Sequence, residues 1–199
     1  MHKQSTEFPY DSGQTVMDRT GIKKIILCCL LGITAQVFSS YALGFILDMM
    51  PGAAGRYIAD TENLFKNDAV TILRVAVLFP VLEELIFRFL ILGLLRRYVP
   101  FIAANLMQAA LFGIYHMNLV QGIYAFLLGL LIGYLMEESQ TILACFGFHI
   151  VFNISGLLLD DLAGDDISRI VCAIIMAAAL AVSILLYLRI RFYSIHCNE

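Results

Sequence analysis

Residues 83–88 have the sequence Glu-Glu-Leu-Ile-Phe-Arg and place three ionisable side chains inside an apolar run that spans residues 69–95. The rest of this run has the length and composition of a membrane-spanning helix. A charge at the centre of a bilayer costs roughly 2.5–3.5 kcal/mol on insertion scales. These charged groups therefore need ion-pair partners, contact with water or a chemical role. The partners must come from other parts of the chain.

The composition is that of a membrane protein. The chain has 199 residues, of which 60% are hydrophobic and 15% charged, and its mean hydropathy is +0.83. Soluble globular domains have roughly 25% charged residues. A net charge of −3 without a basic patch predicts no nucleic-acid partner. The five cysteines include no CxxC pair, so we predict apolar packing roles for them rather than a disulfide framework or a zinc site.

Six apolar segments follow a polar tail, and most reach the roughly 20 residues that a bilayer requires. Pro80 lies inside the second segment, three residues before Glu83, and predicts a kink there. A cleaved signal peptide is an alternative for the first segment, but its apolar run continues past the loosely matching cleavage site. The pattern predicts an all-α, polytopic membrane bundle of about six transmembrane helices, at residues 25–47, 69–95, 100–116, 119–136, 140–159 and 170–188.

The predicted organisation is one membrane-embedded helical domain at 23–191, with a motif core at 68–160. It lies between a polar N-terminal tail at 1–22 and a short C-terminal tail at 192–199. Most of the basic residues fall on the side of the membrane that holds both tails. By the positive-inside rule, both termini are expected in the cytoplasm. The residues on this side are Lys3, Arg19, Lys23, Lys24, Arg96, Arg97, Arg189 and Arg191, against Arg56, Lys66 and Arg169 in the opposite loops.

Helix periodicity separates the two glutamates. Glu84 and Arg88 are four residues apart with the acid first, which is the better orientation for an ion pair on one helix face. Glu83 is five residues from Arg88 and about 140° away around the helix. It therefore has no neutralising partner on its own helix. An unpaired carboxylate in a membrane is suited to accept a proton, so Glu83 is the candidate general base.

Other polar side chains lie at matching depths in other spans. At about 1.5 Å per residue, Glu83, His116 and Asn153 each lie about 21–22 Å from the same side of the membrane. His149 lies about 15 Å from that side by the same measure. His149 and Asn153 are four residues apart, so they project from one helix face. The agreement favours a single polar cavity near the middle of the bilayer.

Three motifs, each in its own apolar span, resemble those of the CPBP intramembrane proteases. This family comprises the CAAX proteases and bacteriocin-processing enzymes, also called the Abi family, and includes the Ras-converting enzymes. Any one motif is weak evidence, whereas three in order on separate spans are strong. They are Glu83-Glu84-x-x-x-Arg88, Phe112-x-x-x-His116 and His149-x-x-x-Asn153.

The resemblance implies a metal-independent glutamate endopeptidase that uses no cofactor. Carried over residue by residue, Glu83 would activate water with help from His116. His149 and Asn153 would hold the developing oxyanion. The resemblance further implies three residues that support the site: Glu84, Arg88 and Phe112.

The implied partners are the lipid bilayer and a peptide or protein substrate, prenylated or not. The expected location is the plasma membrane of a prokaryote, as a multi-pass protein. Four alternatives stay open: a buried ion cluster that only fixes helix packing, a metal-dependent intramembrane protease, a non-catalytic immunity or peptide-binding protein, and a transporter. The His-Glu-x-x-His arrangement of metalloproteases is absent, and no serine occupies a motif position.

Overall fold

The structure is a computed structural model that describes residues 19–49, 52, 55, 57, 59, 69–162 and 169–196. These residues form helices and short turns, and none of them is in a strand. The predicted all-α class is confirmed. The long helices of the described ranges are α1 (Arg19–Met49), α2 (69–95), α3 (Phe101–Tyr115), α4 (Leu119–Ser139), α5 (Ile142–Leu162) and α6 (Arg169–His196).

Four of these helices, α1, α4, α5 and α6, are long and apolar enough to cross a membrane. The shorter α3 has 15 residues, which corresponds to about 22 Å of helix. The fold is therefore a membrane helical bundle, as predicted. Helix α1 begins at Arg19, and α6 continues to His196. Residues 1–18 of the predicted tail lie outside the described residues.

Helix α2 contains two π-helical stretches, Arg74–Leu78 and Leu85–Leu92, on either side of an α-helical stretch at Phe79–Glu84. The backbone N–H of Phe79 bonds the Arg74 carbonyl in an i→i−5 pattern. The next carbonyl in that pattern belongs to Val75 and falls to Pro80, which has no N–H to donate. The proline therefore leaves a carbonyl that another helix must satisfy.

Helix α1 packs mainly against α5 and α6, α3 packs mainly against α4, and α2 contacts α3, α4 and α5. Small residues allow the closest approaches. A Cβ on Gly32 of α1 would lie 2.6 Å from the Phe148 carbonyl oxygen of α5, and a Cβ on Gly129 of α4 would lie 3.2 Å from Ala109 of α3. Glycine at these positions lets the helix backbones meet.

At one end of the bundle, α1 begins and α2, α4 and α6 end. Acidic residues that close α4 join these helices together. Lys24 donates to the Glu138 carbonyl at 3.3 Å, Arg96 pairs with Glu137 at 3.0 Å, and Arg191 lies 3.9 Å from the Glu138 carboxylate. We call this the basic end and the opposite end the far end.

The half of the bundle near the basic end is filled by the main apolar core. Its fully buried members come from all six helices and are at most 1% exposed, among them Leu31, Leu92, Ile132, Leu135 and Phe148. Packing of these side chains fixes the relative positions of the helices. It also leaves any open space inside the bundle to the other half.

Candidate active site

A cavity of about 820 Å³ lies among α1, α2, α3, α4 and α5. Its walls include Glu83, Phe112, His116, His149 and Asn153. These are the four residues predicted to be catalytic and one of the three predicted to support them. The other two, Glu84 and Arg88, are fully buried behind this wall. The structure thus brings the three motifs to one place, which no single helix could do.

Glu84 and Arg88 form a buried ion pair. The Arg88 Nε lies 3.1 Å from the Glu84 Oε2, and both side chains are 0% exposed. The Arg88 guanidinium also lies over the face of Phe112, with Cζ 4.5 Å from the ring centroid. Its two terminal nitrogens make no hydrogen bond to the described residues. The ring face and the carboxylate together compensate a charge that has no contact with solvent.

His149 lies between the two adjacent carboxylates. Its Nδ1 is 2.6 Å from the Glu84 Oε1, and its Nε2 is 3.7 Å from the Glu83 Oε2. An ionised carboxylate can only accept, so Nδ1 carries the proton in this bond. The Nε2 therefore points toward Glu83 and the cavity. Glu84 thus has two partners, Arg88 and His149, whereas its sequence position indicated Arg88 alone.

Glu83 is the exposed member of the glutamate pair. Its side chain is 13% exposed against 0% for Glu84, and it makes no hydrogen bond within the described residues. Adjacent residues of a helix point about 100° apart, so Glu84 points into the protein while Glu83 lines the cavity. The 3.7 Å to His149 is longer than a hydrogen bond. The Glu83 carboxylate therefore has free lone pairs that face the cavity.

His116 is held at the end of α3, where the chain turns into α4. Its Nδ1 lies 2.9 Å from the Phe112 carbonyl oxygen. A carbonyl only accepts, so Nδ1 carries a proton and the Nε2 of a neutral ring is left with its lone pair. Met117, with a φ of 55°, ends the helix immediately afterwards. Asn118 caps α4 by accepting from Val120 N at 3.0 Å. The end of α3 at Met117 and the cap of α4 at Asn118 together fix the position of the His116 ring on the cavity wall.

Asn153 has a structural partner that the sequence did not indicate. Its Nδ2 donates to the Val75 carbonyl at 3.0 Å, which is the carbonyl that Pro80 leaves without a donor. One amide N–H is therefore committed to α2, and the second is the one left for a ligand. Asn153 thus supplies the hydrogen-bond donor that Pro80 lacks, in the helix that carries Glu83.

The cavity has a second polar wall, which the motifs did not identify. On α1, Gln36 donates from Nε2 to the Ser40 Oγ at 2.9 Å, and Tyr124 of α4 donates to the Gln36 Oε1 at 3.4 Å. All three residues line the cavity. Gly156 makes room for this network, because a Cβ there would lie 2.8 Å from the Gln36 Nε2. The i,i+4 spacing of Gln36 and Ser40 in an apolar span was the available signal.

The described residues contain no group of three or more His, Cys, Asp or Glu side chains arranged to hold a metal ion. At the motif positions the cavity presents two imidazoles, one carboxylate and one amide. Such a set can move a proton and can donate hydrogen bonds to developing negative charge. This chemistry suits the addition of water to a carbonyl group.

The profile of the Rce1-like family, described as type II CAAX prenyl endopeptidase Rce1-like, matches residues 65–155. No curated protein and no solved structure matches the chain. The matched residues include the three motifs, and they leave out α1 and α6. The family supports an intramembrane protease of CAAX type, with a peptide or protein substrate in the membrane. The match over residues 65–155 therefore supports the CPBP/CAAX protease family, and the protein is an integral membrane protein.

Proposed function

We propose that the protein is a metal-independent glutamate endopeptidase that cuts a membrane-associated peptide or protein, with Glu83 as the base that activates water. The observation that carries the proposal is the Glu83 carboxylate, which faces the cavity and makes no hydrogen bond within the described residues. It lines a cavity shared with His116, His149 and Asn153, while the neighbouring Glu84 is buried and paired. A general base needs a carboxylate that both water and substrate can reach.

In the proposed reaction, Glu83 takes a proton from water, and the water oxygen attacks the carbonyl carbon of the scissile peptide bond. The carbonyl oxygen becomes an oxyanion. When the tetrahedral intermediate collapses, the carbon–nitrogen bond breaks and the leaving amine takes the proton from Glu83. His116 assists the water through Nε2, which is the nitrogen that its bond to Phe112 leaves available.

The proposed oxyanion donors are His149 and Asn153, and their contacts limit how they can act. Because His149 donates Nδ1–H to Glu84, its Nε2 can donate to an oxyanion only when the ring is an imidazolium. The Glu84 carboxylate, 2.6 Å from Nδ1, stabilises that cation. Asn153 would use the amide N–H that does not bond Val75. Preorganised donors of this kind typically contribute 10²- to 10³-fold in rate.

The test compares wild type with Glu83→Gln in detergent, using a peptide library with cleavage followed by mass spectrometry. The matched control is Glu137→Gln, the same change in a carboxylate at the basic end. We expect Glu83→Gln to lose at least about 100-fold in cleavage, the usual range for a positioned base, and Glu137→Gln to retain it. Glu83→Gln must have the same helix content and the same unfolding midpoint as wild type, so that the loss of cleavage does not reflect unfolding.

Each alternative gives a different result. Cleavage that a chelator abolishes would move the reaction to the metal-dependent class. Retained peptide binding without cleavage in wild type would favour an immunity or binding protein. Full activity in Glu83→Gln would remove Glu83 from the mechanism.

A further inference from the structure

A polar face of α1 lines the cavity and has no role in the proposed reaction. Helix α1 lies outside residues 65–155, so the match to the family profile assigns nothing to it. Gln36 and Ser40 line the cavity together, since residues four apart lie on one helix face. Ser39 beside them also lines the cavity, and we call these three residues the α1 wall. Polar side chains inside a membrane span are costly and are often functional.

The cavity separates the α1 wall from Glu83. Both α1 and α2 contribute lining residues, and both pack against α5. Within the described residues, however, α1 and α2 have no extensive contact with each other. The cavity volume of about 820 Å³ lies within the range of roughly 300–1,000 Å³ that is typical of ligand sites. A peptide whose scissile bond lies at Glu83 would therefore meet the α1 wall on its other side.

The amide of Gln36 has hydrogen-bonding capacity that the described residues leave unused. A carboxamide can donate two hydrogen bonds and accept two. Gln36 donates one to the Ser40 Oγ at 2.9 Å and accepts one from the Tyr124 hydroxyl at 3.4 Å. One N–H and one lone pair of the amide remain, and the Ser40 hydroxyl proton has no acceptor among the described residues. The network thus positions the amide without using all its donors and acceptors.

The absence of charge on the α1 wall limits what it can bind. Among the lining residues that the structure describes, Glu83 is the only aspartate, glutamate, lysine or arginine. A neutral amide and a hydroxyl suit a neutral partner that has both a donor and an acceptor. A peptide main chain supplies both, because the N–H and C=O of one residue in an extended chain point to the same side.

The main chain of a bound peptide also needs such partners. Backbone groups that lose water on binding cost free energy unless they form new hydrogen bonds. On the same two helices, α1 and α4, the cavity is otherwise lined partly by Leu43, Leu47 and Leu128, whose side chains offer no hydrogen bond. The polar side chains of the α1 wall are therefore the groups on α1 that can compensate a peptide backbone.

From these observations we propose that the α1 wall binds the main chain of the substrate. The Gln36 Oε1 accepts from the N–H of one residue of an extended peptide, and the Ser40 hydroxyl donates to the C=O of the same residue. The placement of the scissile bond at Glu83 rests on the proposed function, whereas binding at the α1 wall does not. Such recognition depends little on the side chain at that residue but requires its N–H. Proline at that residue, which has no N–H, would weaken binding.

The experiment measures peptide binding to Glu83→Gln, so that cleavage does not consume the ligand. The probe is a mixed library of short peptides with acetylated and amidated ends, and the retained members are identified by mass spectrometry. Each retained peptide is synthesised again with one amide replaced by an ester at each position in turn, which removes a single N–H. Dissociation constants are then measured with and without Gln36→Met, a change that removes the amide and keeps a similar length.

Two further variants complete the comparison. Ser40→Ala removes the proposed donor and leaves the bond between Gln36 and Tyr124 in place, so it tests the proposal even if Gln36→Met does not fold. Ser183→Ala is the matched control, because this serine bonds Thr34 and is not among the residues that line the cavity.

We expect one ester position to weaken binding to Glu83→Gln by about 3- to 10-fold, the effect of one lost hydrogen bond. With Gln36→Met added, the parent peptide should bind more weakly by a similar factor, and the ester at that position should have no further effect. Ser40→Ala should lower the affinity by a similar factor and keep the effect of the ester. Ser183→Ala should change neither the affinity nor the effect of the ester.

An ester effect that persists in Gln36→Met would overturn the proposal, because Gln36 would then act only through helix packing. An affinity that Ser40→Ala leaves unchanged would overturn it too, and so would a library from which no peptide is retained. Binding requires no cleavage. An ester effect that depends on Gln36 would therefore stand even if Glu83→Gln proved as active as wild type, which would remove only the proposed function.

Discussion

The hydrogen bond between Asn153 and Val75 leads to a prediction that separates the structural role of Asn153 from its catalytic role. Asn153 donates to the Val75 carbonyl at 3.0 Å, and we attribute the need for this donor to Pro80. If so, Asn153→Leu should be destabilising in wild type and much less so in Pro80→Ala. The alanine regains an N–H that can reach a carbonyl one helical turn earlier.

The magnitude follows from the environment of the bond. A fully buried carbonyl without a partner costs about 1–3 kcal/mol. Hydrogen bonds between helices in a membrane protein average about 0.6 kcal/mol and reach about 1.7. Val75 and Asn153 are both half-buried, so we expect Asn153→Leu to cost about 1 kcal/mol of unfolding free energy, in the range of such bonds. In Pro80→Ala most of this cost should disappear.

The assay is a double-mutant cycle, with unfolding followed by circular dichroism in mixed detergent micelles of increasing denaturing strength. The matched control is Ser183→Ala, which removes another bond between helices, from Ser183 Oγ to Thr34 Oγ1 at 2.9 Å. This bond does not involve the proline. The Ser183→Ala cost should therefore be the same in both backgrounds. An Asn153→Leu cost that is also the same in both would refute the explanation through Pro80.

Cleavage measured on the same four proteins assigns the chemical role of Asn153. If Asn153 acts only by holding α2, Pro80→Ala should restore most of the activity that Asn153→Leu loses. If its second N–H also stabilises the oxyanion, activity should stay about 100-fold down in both backgrounds, as expected for a lost oxyanion donor. Stability and activity then respond differently to the same change.

Two other predictions concern packing and the buried charges. A Cβ at Gly32 would lie 2.6 Å from the Phe148 carbonyl oxygen, whereas a Cβ at Gly44 of the same helix would have no neighbour within 4 Å. Gly32→Ala should therefore lower the free energy of unfolding by about 1–3 kcal/mol. Gly44→Ala should leave the free energy of unfolding unchanged or raise it. Equal free energies of unfolding for the two variants would contradict the close contact at Gly32. Arg88→Leu leaves Glu84 fully buried without its cation and should cost about 3–5 kcal/mol in the same unfolding assay. A loss below about 1 kcal/mol, the level of surface pairs, would show that Arg88 does not compensate this charge.

Short-range geometry explains what could be predicted from the sequence. The composition and the six apolar segments specify a helical membrane bundle, because a bilayer requires every backbone group to be satisfied within a helix. The i,i+4 spacing of Glu84 and Arg88 is enough to place both on one helix face. The equal rise per residue brings Glu83, His116 and Asn153 to one depth. None of these inferences requires knowing how two helices are rotated against each other.

The partners of the site residues depend on that rotation, and only the tertiary structure decided them. His149 bonds Glu84 from 65 residues away, Asn153 bonds Val75 from 78 residues away, and Tyr124 reaches Gln36 across 88. Each contact joins two helices whose relative rotation is set by the packing of the whole core. The sequence by itself thus determined which residues lie at the level of the site. The packing of the bundle decided which of them pair, and it placed the cavity in the half of the bundle away from the basic end.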